Sequence, residues 1–187
     1  MKDYTLKDLM VPISEYATVS EGATLFDAIQ ALEKAQEEFQ VSKYTHRAVL
    51  VLDKNKQVIG KLSQLLVLRA LQHTNEDIES VASLGQYGFS KKFIRTLQNE
   101  KRLEGAPLIE LCENAARLKV ENIMQAPTEG EYIDQGAKLD VAINQLVFGN
   151  HLSLLVTENK KIVGILRLTD VFGAVFHTMQ ECQIKPE

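Results

Sequence analysis

The sequence predicts an α/β fold made of two copies of a strand–helix–strand–strand–helix unit, packed about a pseudo-twofold axis, with a helical insert between them. Three observations predict it. First, segments of the two halves match at one constant offset: Leu6–Met10 with Val120–Met124, Ser20–Leu25 with Asp134–Leu139, and Ala28, Ile29 and Leu32 with Ala142, Ile143 and Leu146. Second, the turn Asp53–Gly60 matches Thr157–Gly164, the second copy being ten residues shorter because it lacks an equivalent of Phe39–His46. Third, Lys161–Phe172 reads as a buried strand running into a helix, with Ile162, Val163, Ile165 and Leu166 supplying the apolar run. Such self-similarity marks a duplicated unit. One unit is too small to bury both its helix faces, so two should pack together.

Each element follows from its residues. Leu6–Met10 is a short amphipathic turn stopped by Pro12, and Ala17–Val19 is a brief strand. Thr24, with Asp27 three residues on, is a helix N-cap. The helix it opens carries Leu25, Ala28, Ile29 and Leu32 on one face and Glu33, Lys34, Glu37 and Glu38 opposite. Phe39–His46 is a polar connection. Arg47–Leu52 and Val58–Leu62 are strands around an Asp53–Lys56 turn, and Ser63 caps a helix to about Leu71. Gly164 interrupts its strand, where a missing side chain lets another backbone or a ligand come close. Between the copies, helical spacing recurs in three stretches, at Ile78–Leu84, Phe93–Leu97 and Leu108–Leu118, the last opened by Pro107. The expected division is 1–72 for the first unit, 73–119 for the insert and 120–187 for the second unit.

Composition narrows the function classes. Hydrophobic residues make up 45% of the chain, enough for a packed core. With 21 basic and 25 acidic residues the net charge is −4, which argues against a general nucleic-acid-binding surface. Cys112 and Cys182 lack metal-ligand spacing and are expected to pack as small hydrophobes. No stretch approaches the roughly 20 apolar residues of a membrane helix, and the first ten residues have no signal-like run. A cytoplasmic protein is the expectation, with no membrane, nucleic-acid or metal partner. No nucleophile elbow, phosphate-cradling glycine loop or zinc motif is present, and no catalytic residue is assigned.

Several residues have two readings. Asp170 falls in the first turn of the last helix, as a dipole-favoured acid or a hydrogen-bond acceptor for a ligand. Arg167 grips a phosphate or pairs with a surface acid. Ser63 is first an N-cap. Gly60 and Gly164 are turn or close-packing glycines. Lys43, His46 and Arg47 form a basic cluster, either solvated or placed beside a polyphosphate.

The chain resembles a tandem pair of CBS domains, the Bateman module. The resemblance rests on Asp8-Leu9-Met10 and Asn122-Ile123-Met124, on the hairpins ending at Gly60 and Gly164, and on the helix-opening motif ending at Asp170. It covers both halves and omits the insert. It implies an adenosine-containing ligand in a cleft between the units. The family signature is Gly, two hydrophobics, Ser or Thr, two variable residues, then Asp; the Asp takes the ribose hydroxyls and the Ser or Thr approaches a phosphate. Each copy here keeps half: Ser63 with Leu66 in the Asp position, and Asp170 with Arg167 in the hydroxyl position. The resemblance therefore points to the second motif. Asp170 would hold ribose and Arg167 phosphate, while Tyr132, Ser153 and Leu154 would line the base, with Ser63 as a further contact.

The function so implied is a non-catalytic regulatory module, with AMP, ADP, ATP or S-adenosylmethionine as candidate ligands and no resident cofactor. The alternative is a ligand-free dimerisation or protein-interaction module with degenerate sites. A homodimer is expected through the helices carrying Leu25, Ile29, Leu32 and Leu139, Ile143, Leu146, joined by Val171, Phe172, Val175 and Phe176. The insert is expected to be ordered and to offer a surface to a protein partner.

Overall fold

The computed structural model describes residues 4–38, 45–72 and 108–182. Lys43 and the first two helical stretches of the insert lie outside the described residues. The chain begins with helix α1 (Leu6–Leu9), strand β1 (Val11–Pro12) and strand β2 (Thr18–Ser20). Helix α2 (Leu25–Glu38), the hairpin β3 (Ala48–Leu52) and β4 (Val58–Ser63), and helix α3 (Gln64–Gln72) follow. After α4 (Leu108–Ala116), the second copy supplies β5 (Tyr132–Asp134), α5 (Leu139–Phe148), β6 (Ser153–Glu158), β7 (Lys161–Arg167) and α6 (Leu168–Glu181).

The two copies repeat one topology. In each, a short strand runs parallel to the first hairpin strand, with a helix as the crossover, and the hairpin is antiparallel: β2-β3-β4 in one sheet, β5-β6-β7 in the other. Both hairpins shift register at the same place, between Val51 and Leu52 and between Val156 and Thr157. Local chemistry explains the element ends. Thr24 and Asp27 form a reciprocal cap: the Asp27 N–H donates to Thr24 Oγ1 at 3.2 Å, and the Thr24 N–H donates to Asp27 Oδ2 at 2.8 Å. Asp53 Oδ1 closes the first hairpin by accepting from the N–H groups of Asn55 and Gln57, both at 2.8 Å. The second hairpin turns on Asn159 and Lys160, both at positive φ, the twist a two-residue turn requires.

The copies are interlocked. Although β1 lies near the start of the first copy, it joins the second copy's sheet, with Val11 opposite Ile165 and Pro12 opposite Gly164. The second copy reciprocates through Gln125, which exchanges backbone hydrogen bonds of 2.9 and 3.0 Å with Lys61 of β4. Two glycines make room for this exchange. A Cβ on Gly164 would lie 2.8 Å from both Met10 Sδ and the Val11 carbonyl oxygen, and one on Gly60 would strike the Met124 side chain. The glycine expected to admit another backbone does so.

Burial follows the same exchange. Leu6 of α1 is wholly buried in the second copy's core with Ile133, Ala142, Leu146, Leu154 and Leu166. Ala115, Val120 and Ile123 complete the first copy's core around Leu25, Ala28, Leu32, Val51 and Leu62. A third cluster, Val11, Tyr16, Leu50, Leu155 and Ile165, joins residues of both sheets.

Two expectations are corrected. Cys112 and Cys182 are exposed and do not pack as core residues. The stripes expected to meet a second copy are largely buried: Leu25, Leu32 and Leu146 belong to the cores of their own copies. Of the residues expected to join them, Val171 is buried while Phe172 and Phe176 are exposed; other large apolar side chains left exposed include Phe26, Val147, Phe148 and Met179.

Candidate functional site

Each copy passes from its last hairpin strand into a helix with no intervening loop, so the residue at the junction faces the groove between copies. In the first copy that residue is Ser63, whose Oγ accepts from the Leu66 N–H at 3.3 Å and so caps α3. The Gln64 N–H beside it donates to the Arg47 carbonyl at 3.1 Å, which fixes the start of β3 against the start of α3. In the second copy the junction residue is Arg167, and the Leu168 N–H donates to the Leu152 carbonyl at 3.0 Å. Both helix N-termini, with their partial positive charge, therefore open on the same space.

That space is a cavity of about 390 Å³ lined by both copies. The first copy contributes Arg47, Lys61, Ser63, Leu65, Leu66 and Arg69; the second contributes Glu131, His151, Leu152, Ser153, Arg167 and Leu168. Lys61 stands two residues before Ser63 on β4, and so on the same strand face. Arg69 follows Leu65 by one helical turn.

Two buried ion pairs organise the walls. Arg167 and Asp170 form a fork, Nε to Oδ2 and Nη2 to Oδ1, both 2.6 Å, with side chains only 6% and 9% exposed. Across the copies, Lys61 Nζ lies 2.9 Å from Glu131 Oε1 and donates to Ser153 Oγ at 3.4 Å. Glu131 also lies 3.7 Å from His151 Nδ1 and accepts from the Thr128 N–H at 3.3 Å. Beside the Arg167 fork, Tyr16 and His46 meet edge to face at 4.5 Å. Burial pushes the Tyr16 hydroxyl up to about 12, a rise that the Arg167 charge partly opposes. Burial first, then the Arg167 charge, holds His46 below its ordinary value. Among the described residues, Arg47 and Arg69 make no ion pair.

Of the residues singled out in the sequence, Ser63, Ser153 and Arg167 are brought together on the cavity wall. Asp170 does not line it; its carboxylate is engaged by Arg167. Leu154, which alternates with Ser153 along β6, is fully buried in the second copy's core. Tyr132 sits on β5, exposed, and is not among the residues lining the cavity. Of the basic cluster, Arg47 reaches the cavity and His46 packs on Tyr16. Sequence reasoning missed Lys61, Arg69 and Glu131. The two-residue spacing of Lys61 from Ser63 could have found the first. Among the described residues no three His, Cys, Asp or Glu side chains could hold a metal ion, and no helix is long and apolar enough to cross a membrane.

The chain matches the CBS domain family model over residues 6–73 and 120–177. No curated protein sequence matches it. Among solved structures, it is similar to CBSX2 in complex with AMP, at 18% identity and a TM-score of 0.57, over 93% of this chain and 97% of that one. It is similar also to a CBS domain-containing protein of unknown function from Bacillus anthracis, at 19% identity and TM-score 0.59, over 93% and 94%. A putative acetoin utilization protein (AcuB) from Vibrio cholerae aligns over 100% and 99% at 18% identity and TM-score 0.56. These likenesses carry the fold, and the two matched regions carry the family: the chain belongs to the CBS domain family, with two CBS domains in tandem.

Proposed function

We propose that this protein is a non-catalytic regulatory module that binds an adenosine nucleotide, of the AMP, ADP or ATP class, in the cavity between its CBS domains. The observation that carries this reading is the cavity's composition. Among the described residues, Arg47, Lys61, Arg69 and Arg167 line it against one carboxylate, that of Glu131, while Leu65, Leu66, Leu152 and Leu168 give it an apolar side. A base needs an apolar surface and a phosphate needs cations and helix N-termini. The volume of about 390 Å³ lies within the usual range for small-molecule sites. The AMP complex of CBSX2 supports the ligand class.

Signalling would be a shift of population. A ligand that touches both domains favours one relative orientation of them, by no more than its differential affinity for the two states. The exchanged strand β1 and the Lys61–Glu131 pair are the contacts such a shift would load. In this reading the protein acts in the cytoplasm as a homodimer, a second copy covers exposed side chains such as Phe172 and Phe176, and a protein partner reads the change.

One observation favours a second reading, a ligand-free interaction module: the Asp170 carboxylate is already satisfied by Arg167, and Leu66 replaces its counterpart. Melting curves with AMP, ADP, ATP and S-adenosylmethionine separate the two. A ligand at about 100 times its Kd should stabilise by roughly 2.7 kcal/mol, or about 5–10 °C for a chain of this size. No shift with any of them at millimolar concentration would favour the interaction module.

A further inference from the structure

We infer that Arg47 and Arg69, with the Ser63 hydroxyl between them in sequence, form the phosphate clamp of the cavity, and that the clamp is built for two or more linked phosphates. The resemblance placed the phosphate chiefly at Arg167, which stands in the hydroxyl position of the second motif. The geometry points away from that residue. One edge of its guanidinium, Nε and Nη2, is held by the Asp170 carboxylate at 2.6 Å, and drawing the guanidinium toward a ligand would strand a buried acid. Lys61 is committed in the same way to Glu131 at 2.9 Å.

Arg47 and Arg69 differ from both. They line the cavity from one side, and among the described residues neither has a carboxylate partner. Their placement is fixed by backbone. The Arg47 carbonyl holds the first N–H of α3, and Ala48 pairs with Ser63, so Arg47 begins beside the helix N-terminus. Arg69 lies on α3 one turn beyond Leu65, another cavity residue. Two guanidinium groups, each able to take two phosphate oxygens, share the cavity wall with a hydroxyl and a helix start. Two cations with no carboxylate partner among the described residues match a ligand with two or more negative charges better than a monoanion. Leu65 and Leu66 extend the same wall with an apolar surface. The clamp rests on the nucleotide reading only for what the phosphates are attached to.

The test is calorimetry on the full chain with pyrophosphate, AMP, ADP and ATP, comparing the unmodified protein with Arg47→Gln, Arg69→Gln and the double variant. Melting curves check folding, and Arg47→Lys with Arg69→Lys keeps charge while removing the forks. The clamp predicts affinity in the order ATP, ADP, AMP, measurable binding of pyrophosphate alone, and a loss of at least tenfold for ATP in the double glutamine variant. It also predicts a shallower salt dependence for that variant and an intermediate loss for the lysine pair. If ATP binds the glutamine variant as it binds the unmodified protein, the clamp is wrong while the nucleotide reading stands. If pyrophosphate binds and is lost with the arginines but adenosine nucleotides bind no better, the clamp stands and the nucleotide reading falls. If neither pyrophosphate nor any nucleotide binds, both fall.

Discussion

The exchange between the CBS domains makes a prediction that two equivalent glycines, one in each sheet, should answer differently. A Cβ on Gly60 would sit 2.7 Å from Met124 Cγ and 3.1 Å from Met124 Cβ, with the sulfur nearer still, and the three nearest atoms all belong to one flexible side chain. Gly60→Ala should therefore destabilise by about 1–3 kcal/mol through overpacking. Met124 is partly buried against the first copy's core, so Met124→Ala should cost about 1–2 kcal/mol, less than a fully buried methionine. In the double variant the new methyl occupies space the thioether has left. The total should fall near the cost of Met124→Ala alone, a coupling of about 1–3 kcal/mol. Gly164 should not be rescued in this way. Its added Cβ would meet the Val11 carbonyl oxygen at 2.8 Å as well as Met10 Sδ at 2.8 Å, and Met10→Ala removes only the second. Urea denaturation at constant m-value gives all the required free energies. Additivity within about 0.5 kcal/mol at Gly60 and Met124, or full rescue of Gly164→Ala by Met10→Ala, would refute the interlocking account.

The other predictions concern the cores and the buried charges. Leu6→Ala should destabilise by about 2–5 kcal/mol despite its place near the N-terminus, because Leu6 is wholly buried in the second copy's core; a thermal melt unchanged within about 2 °C would contradict this. Arg167→Ala should cost about 3–5 kcal/mol by stranding Asp170, and the apolar pair Arg167→Met with Asp170→Leu should recover most of it in the same urea assay. Tyr16 should ionise near 12 in an absorbance titration. Since that value lies above its ordinary 10.0, the neutral form is favoured in the fold, and stability should decline as pH rises from 10 to 12; Tyr16→Phe should flatten that decline. His46 has the opposite sign. Its lowered value means a contribution present above 6.5 and lost as pH falls through the folded value, which His46→Gln should remove from the acid limb.

Repetition made most of the fold legible. The strands read at Arg47–Leu52 and Val58–Leu62 form at Ala48–Leu52 and Val58–Ser63, and Gly164 marks the close backbone approach that its missing side chain suggested. That strand itself was not legible. Val11–Pro12 is two residues long, too short for any periodicity, and nothing local says that it pairs with Ile165 rather than with its own copy. The site was legible by half. Ser63 and Arg167 stand where a strand ends and a helix starts, positions that spacing can find, and Ser153 opens β6 opposite Arg167. Leu154 failed because one step along a strand reverses the face. Asp170 and Arg167 were each given a ligand, yet they are three residues apart across a helix start, close enough to satisfy one another. Arg69 belongs to a helix whose orientation toward the second copy depends on the packing of both, which no single segment encodes.

In the proposed function one cavity, built jointly by the two CBS domains, takes one nucleotide. Calorimetric titration of the full chain with ATP tests it most directly, because stoichiometry and affinity come from one curve. The account predicts one ATP per chain, and a markedly weakened isotherm when the Lys61–Glu131 bridge between the domains is removed by Lys61→Met with Glu131→Leu. A stoichiometry of two per chain, or an isotherm indifferent to that paired substitution, would contradict it.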